Sequence, residues 1–528
     1  MIGFSKILKD HAVLQREKRV LIWGTTDRTE VYVELFDSEG VSVSGVKADA
    51  NGGRFEVQLP PMSAGGPYSV KASDGTDETI INDIYFGEVW LAGGQSNMEL
   101  ELQNSKDGKA EVEKAYDPNI RFYYTPKVAT VGKELDKAEE ESGWQLCEPG
   151  VPAAWSAVAY YFAKKLSAEL NVMVGIIGCN WGGTSASCWV DRDSLANDRT
   201  LKVYTDAYDK ATEGLDPEEY RIEWEEYQRY QSDFDKRVGE YYSTYPNPTW
   251  DEAIKIFGEN RYPGPMGPLN FTRPGGLYES MISRVAPYTL AGFIFYQGEE
   301  DDNRPYIYRD LLKTLISVWR RDFRDKDLPF ILTQLPVFVN EGEDDFQNWP
   351  FIREAQADVA SGVPNTGMAV ILETGEFHNI HPLDKKTVGD RLSNIALSMV
   401  YELVDKDTAS GPRYSGSEVH GDSFVITLSG CGDGLKLSDD APADSTKWNF
   451  EIAGDDNVYY PARADISVSG KVTLTSDKVK SPAKARYFWK NFAPVYLFGS
   501  NGIPLSPFRT DRKDGAVAYG SRQGELKE

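Results

Sequence analysis

The sequence predicts an α/β protein flanked on both sides by β-rich segments, and three patterns in its 528 residues carry that reading. Between about residues 86 and 404, apolar strand-like runs alternate with amphipathic helical stretches. Before and after that span, short β-branched and aromatic runs alternate with clusters of Gly, Asp, Asn and Pro. Inside it, a helical stripe at 153–170 leads straight into the apolar run 172–178, as in one βαβ-like unit.

In chain order, runs at 20–23, 31–36, 54–59 and 68–72 are separated by Asp27-Arg28, Asn51-Gly52-Gly53 and Gly65-Gly66-Pro67. That spacing predicts a small antiparallel β-sandwich over 1–85. The run 84–91 stops at Gly93-Gly94, as a buried strand does before a tight turn into a helix. Trp155, Val158, Ala159, Phe162 and Leu166 follow helical spacing. Val388, Leu392, Ile395, Met399 and Leu403 form the stripe of a closing helix. The segment from about 190 to 275 is rich in Tyr, Glu and Asp, has Asp216-Pro217-Glu218-Glu219 as a helix start, and predicts an inserted helical subdomain. Its aromatic stripe, Tyr220, Trp224, Tyr227, Tyr230 and Phe234, has the spacing of a packed helix face. Strands return at 423–428, 471–476 and 485–490 and predict a C-terminal β-rich domain over 405–528.

Charge excludes several partners. The 57 Lys and Arg against 82 Asp and Glu give a formal net charge of −25. Such a field repels phosphate backbones and anionic headgroups, so no nucleic acid and no membrane surface is expected as a partner. The longest apolar stretch, 172–179, is far shorter than the roughly 20 residues that span a bilayer. The chain enters a strand pattern almost at once, without the apolar core of a signal peptide, and reads as cytoplasmic. Cys147, Cys179, Cys188 and Cys431 show no CxxC pairing, which predicts reduced thiols and neither a disulfide scaffold nor a zinc site.

Chemistry has few places to reside. The four histidines are His11, His378, His381 and His420. His11 and His420 fall in the expected β-domains, where a solvated or packed ring is the simpler reading. His378 and His381 share the stretch Glu376-Phe377-His378-Asn379-Ile380-His381-Pro382, a loop leading into the 385–404 helix, and loops at the edge of an α/β sheet are where catalytic groups concentrate. The candidate nucleophile is Ser96 in Gly94-Gln95-Ser96-Asn97-Met98-Glu99, where glycines permit the turn and a following helix start directs N–H groups toward developing negative charge. It is not the GxSxG elbow, since Met98 stands where the second glycine belongs. The acidic run Glu299-Glu300-Asp301-Asp302 lacks the spacing of a calcium loop.

Taken together, His11-Ala12-Val13-Leu14-Gln15-Arg16, Gly87-Glu88-Val89-Trp90, the Ser96 hexapeptide, Trp181-Gly182-Gly183-Thr184, Gly276-Leu277-Tyr278, Tyr296-Gln297-Gly298-Glu299, Ile380-His381-Pro382 and Pro507-Phe508-Arg509-Thr510-Asp511 resemble the sialate O-acetylesterase family of the SGNH (GDSL-like) hydrolases, in the family's order and over nearly the whole chain. The resemblance implies a three-layer catalytic domain with a parallel sheet over 86–404, carrying the insertion at about 190–275. It implies a serine esterase that removes O-acetyl groups from a mono- or oligosaccharide without metal or cofactor. Ser96 would attack the acetyl carbonyl, and His381 would take its proton and return it to the leaving sugar hydroxyl. The N–H groups of Ser96 and Gly183 and the amide of Gln297 would hold the oxyanion. Gln297 could instead be a structural amide that fixes its loop.

The third triad member departs from the family pattern. His378 stands where many relatives carry Asp three residues before the histidine, and Asn379 stands two before it. Glu376 is read as the acid, with Glu299, Asn379 or a backbone carbonyl as alternatives. Trp181, Tyr278 and Glu299 are candidate sugar contacts, aromatic faces suiting a sugar ring. Acetylated plant polysaccharide, such as acetyl xylan, is the near alternative to sialate, because a sialate carboxylate needs a pocket cation such as Arg273 or Arg284. A lipid or thioester acyl substrate and a non-catalytic glycan-binding protein are the more distant readings.

Overall fold

Alternation decides the first strands. In β1 (Val20–Thr25), β2 (Glu30–Phe36), β3 (Ser42–Asn51), β4 (Arg54–Leu59) and β5 (Gly65–Ser73), residues such as Val31, Val33, Leu35, Phe55, Val57 and Leu59 point inward and their neighbours outward. The computed structural model describes residues 2–519 apart from 246–247, 259, 341–344 and 468–469. Parts of the expected insertion and of the expected C-terminal domain therefore lie outside the described residues. The chain divides into two compact units, the first Met1–Arg229 with Arg261–Phe295 and Thr314–Phe330, the second Tyr230–Asn260 with Tyr296–Lys313 and Ile331–Glu528.

The first unit is mixed α/β. Its strands run β1-β4-β3-β2-β5-β6-β8-β7, with β6 (Glu78–Gly94), β7 (Asp117–Tyr124) and β8 (Val174–Asn180). β6 pairs antiparallel with β5 through its first half and parallel with β8 through its second. Its burial follows: one face is partly exposed up to Tyr85, and every residue from Phe86 to Gly94 is buried, as expected where both faces of a parallel strand are covered. β9 (Gly292–Tyr296) also pairs with β6, so the chain visits β7 and β8 on one side of β6 before returning on the other. The carboxyl end of β6 is thus a topological switch point, where open α/β sheets bind ligands. Gly93 cannot carry a side chain there, because a Cβ would stand 2.6 Å from the Trp319 indole.

The first two helices pack on this sheet. The short α1 (Ser96–Glu99) follows β6. In α2 (Ala157–Leu170), Ser156 caps the Ala159 N–H, and Phe162 meets Trp90 edge to face at 5.2 Å. α3 (Pro217–Thr244) begins where Asp216 accepts from the N–H groups of Glu218 and Glu219. Tyr220, Tyr227 and Phe234 are buried along it, so the aromatic stripe packs as its spacing predicts.

Several of the motifs that carry the resemblance build the scaffold. Val13–Gln15 pairs in parallel with 85–87, Arg16 and Gln15 bind the Glu88 carboxylate at 2.5 and 2.9 Å, and Gln15 accepts from Val89 N. His11 bonds Asp83 at 2.6 Å, which agrees with a packed ring.

The second unit holds α4 (Trp250–Phe257), α5 (Trp349–Gly362), α6 (Lys385–Met399), the paired strands β10 (Phe330–Gln334) and β11 (Thr366–Val370), and a β-rich region. In that region Ser423–Ser429, Lys471–Thr475 and Lys484–Tyr487 appear where strands are expected. Its core gathers Phe424, Ile426, Phe450, Ile452, Leu474 and Tyr487. In α6, Val388, Leu392 and Ile395 are buried, but the helix ends at Met399 and Leu403 is 60% exposed, so the expected stripe is one turn too long.

One buried cation ties this unit together. Arg353 on α5 is fully buried and donates to the carbonyls of Leu335, Pro336, Lys490 and Asn491 at 2.6–2.9 Å. Arg353→Met leaves these acceptors without a donor, and chemical denaturation should show a loss of about 3 kcal/mol or more, since each stranded group costs on the order of 1 kcal/mol.

Candidate active site

Two parallel neighbours end together in the first unit. β6 and β8 stay in register from Glu88 opposite Val174 to Gly94 opposite Asn180. Beyond them Trp181 N donates to Gly94 O at 3.1 Å, so the Ser96 turn and the Trp181-Gly182-Gly183 turn leave the sheet side by side. Asn180 braces them, donating to Ala92 O at 3.2 Å and accepting from the Tyr124 hydroxyl. A Cβ placed on Gly182 would stand 3.3 Å from Ser96 Cβ. Ser96 is half-buried, as a nucleophile that must meet solvent-borne substrate needs to be.

The glycine turn is clamped on both sides. Glu99, three residues after Ser96, accepts from the Gly182 N–H and pairs with Lys127. The carbonyl of Gly183 accepts from the Tyr262 hydroxyl. Gly183 has φ +68°, and a Cβ there would meet the Tyr262 ring at 2.9 Å, so backbone conformation and space both demand glycine. Among the described residues none accepts a hydrogen bond from the Gly183 N–H. A half-exposed donor beside a serine is what a developing oxyanion requires.

Trp181 is half-buried and stacks on Phe271 at 4.6 Å with an interplanar angle of 8°. Tyr278 donates its hydroxyl to Asp322 at 2.8 Å, and burial together with that carboxylate pushes the phenol up to about 12. Arg273 is paired with Glu279, and Arg284 is held by two bonds to Glu139, so both guanidinium groups expected as sialate partners already face carboxylates. A cavity of about 490 Å3 lies beside α1, lined by Glu99, Glu101, Tyr124, Lys127 and Glu141 among others.

In the second unit His381 sits in the loop between β11 and α6. Asn379 Oδ1 accepts from His381 N at 3.1 Å, Asn379 Nδ2 donates to Glu376 at 2.9 Å, and the other Glu376 oxygen accepts from Leu383 N at 2.7 Å. The Glu376 carboxylate closes the loop through Asn379 and Leu383. The Trp250 ring meets His381 edge on, 6.2 Å between centroids and 73° between planes. His378 has left-handed backbone, with Nδ1 2.9 Å from Val339 O.

Gln297 is buried and fixed: Oε1 accepts from Tyr308 at 3.0 Å and Nε2 donates to Asp301 at 2.5 Å. Glu299 is 3% exposed. It acts on the buried Lys385, whose ammonium burial pushes down to about 7 while Glu299, Glu376 and Asp384 pull the other way. Lys385 lies over the Tyr296 ring at 5.4 Å. Among the described residues no group of three or more His, Cys, Asp or Glu side chains could hold a metal ion.

Trp250 and Lys385 were not legible as site residues, and Tyr262 was legible only as one of several aromatics near the motifs, not as a partner of Gly183. Each acts through a contact distant in sequence, and none sits in a local pattern that marks chemistry.

The family described as carbohydrate esterase, sialic acid-specific acetylesterase matches residues 267–394, which include Tyr278, Gln297, Glu299, Glu376 and His381. The sialate O-acetylesterase of Mus musculus is 28% identical over 431 residues, covering 75% of this chain and 73% of that protein. The sialate O-acetylesterase of Pongo abelii is 26% identical over 551 residues, covering 96% and 92%. A carbohydrate acetylesterase from Xanthomonas citri, solved by crystallography, superposes with a TM-score of 0.75 at 27% identity, covering 97% of this chain and all of that one.

Proposed function

We propose that the chain, a carboxylic ester hydrolase similar to the sialate O-acetylesterases, removes O-acetyl groups from carbohydrate through an acetyl-enzyme on Ser96. Ser96 Oγ attacks the acetyl carbonyl as His381 takes the hydroxyl proton. The bond to the sugar oxygen then breaks, and His381 returns the proton to it. Water repeats the cycle and releases acetate. The negative oxygen accepts from the N–H groups of Ser96 and Gly183 and from the Gln297 amide. The observation that carries this reading is the Gly182-Gly183 turn beside Ser96, with the Gly183 N–H unused by any described residue. Glu376, which also closes the His381 loop, is the proposed acid, with Glu299, Asn379 or a backbone carbonyl as alternatives for orienting the imidazole.

Gly183→Ala tests the oxyanion turn. A methyl group at φ +68° and against the Tyr262 ring displaces the N–H, and kcat for 4-nitrophenyl acetate should fall about 10²–10³-fold, the usual cost of an oxyanion donor. A kcat within twofold of wild type would remove Gly183 from the mechanism.

The site also favours a second substrate reading. The cavity beside α1 carries Glu99, Glu101 and Glu141 against Lys127, while Arg273 and Arg284 are already paired. An acidic cavity suits the hydroxyls of a neutral acetylated oligosaccharide, as in acetyl xylan, better than a sialate carboxylate. The ratio of kcat/KM for acetylated xylo-oligosaccharide to that for O-acetylated sialic acid decides between them. A ratio above one supports the neutral glycan, and a ratio below one supports sialate. The four buried thiols suit a reducing compartment, which supports a cytoplasmic location.

A further inference from the structure

We propose that Tyr262 is a positioning residue for catalysis, holding the Gly183 turn so that its N–H faces the reacting carbonyl, and that the helical insertion exists in part to hold Tyr262. The inference rests on the esterase reading of Ser96.

The chain of contacts runs from helix to turn within the first unit. The buried face of α3 packs on the segment 262–270: a Cβ on Gly264 would stand 2.5 Å from the Tyr227 ring, and one on Gly267 would stand 2.4 Å from the Tyr220 ring. Leu269 N donates to the Tyr220 hydroxyl at 3.2 Å. Asn270 ties the segment to itself, donating to Pro263 O at 2.9 Å and Pro265 O at 3.1 Å while its Oδ1 accepts from Thr272 N at 2.8 Å. Phe271 meets Tyr262 at 6.4 Å and stacks on Trp181 at 4.6 Å.

At the end of this chain the Tyr262 hydroxyl grips the Gly183 carbonyl, and on the other side Glu99 grips the Gly182 N–H. The peptide between these two anchors carries the one N–H of the turn offered to substrate. Left-handed backbone at a glycine is a shallow preference, because glycine also populates other regions freely. Without the hydroxyl the turn is tethered on one side only, and the fraction of time the N–H points at the oxyanion falls. Binding of the ester does not depend on that alignment, whereas the tetrahedral intermediate does.

Tyr262→Phe removes one oxygen and keeps the ring. Its kcat for 4-nitrophenyl acetate, expressed per folded molecule by circular dichroism at the assay temperature, is expected to fall about tenfold with KM within about twofold, a smaller loss than deleting the donor outright. Tyr220→Phe removes a hydroxyl from the same packing layer, one bonded to Leu269 rather than to Gly183, and is expected to leave kcat unchanged. The proposal is overturned if Tyr262→Phe keeps wild-type kcat, or if both variants lose kcat equally, which would mean general loosening of the segment. Ser96→Ala runs beside them. Turnover near the wild-type rate in Ser96→Ala sinks the esterase reading itself, while a Ser96→Ala that loses several orders of magnitude beside a fully active Tyr262→Phe sinks the role of Tyr262 alone.

Discussion

Ser96→Ala is expected to lower kcat for acetate release by on the order of 10⁵-fold while KM stays within about threefold. The asymmetry follows from what the serine does. Its Oγ contributes little to ground-state binding of an ester, but no covalent intermediate forms without it. The substitution is also mild structurally, since Ser96 is half-buried and starts a four-residue helix that Glu99 anchors through Gly182 and Lys127. The melting temperature should therefore match wild type, and a fluorophosphonate probe that labels the wild-type protein should no longer react. Residual turnover well above the uncatalysed rate is consistent with an intact Gly183 donor, because oxyanion stabilisation acts on water attack as well.

His381→Ala should cost about as much as Ser96→Ala, and the double variant should cost no more than either single one. Groups that act in one proton-transfer step lose their whole joint effect with the first deletion. If the losses instead multiply, serine and histidine contribute separately and the shared mechanism fails. A Glu376→Gln change belongs in the same series. It keeps an acceptor for Leu383 N but sets an amide against the Asn379 amide, so the loop loosens and kcat falls by less than in His381→Ala.

Much of this arrangement was legible in the sequence where chemistry and local pattern coincide. The apolar run ending at Gly93-Gly94 marks the carboxyl end of a buried strand, and the serine just beyond it lies at the switch point of the sheet. The helix start at Asp216 and the aromatic spacing after it gave a packed helix, and the structure shows what that helix packs on. What escaped the sequence was long-range. Tyr262 and Gly183 are 79 residues apart, and nothing near either one announces the other. Lys385 reads as an ordinary lysine at a helix start until burial and the Tyr296 ring around it are seen. Glu376 was chosen by its distance along the chain from His381, and the fold of the loop, which sends its two oxygens to Asn379 and Leu383, could not be read from that spacing. Several motifs that carry the resemblance hold the scaffold, among them Arg16 on Glu88 and Arg509, which is bound by two bonds to Glu354 and one to Asp514.

The most direct test of the covalent mechanism is peptide mass mapping of enzyme quenched in acid during turnover of 4-nitrophenyl acetate. The mechanism predicts one acetyl group on the peptide carrying Ser96, absent in Ser96→Ala and lost on further incubation as acetate is released. An acetyl group on any other side chain, or steady turnover of wild type with no acetylated peptide and with full activity retained in Ser96→Ala, would contradict it.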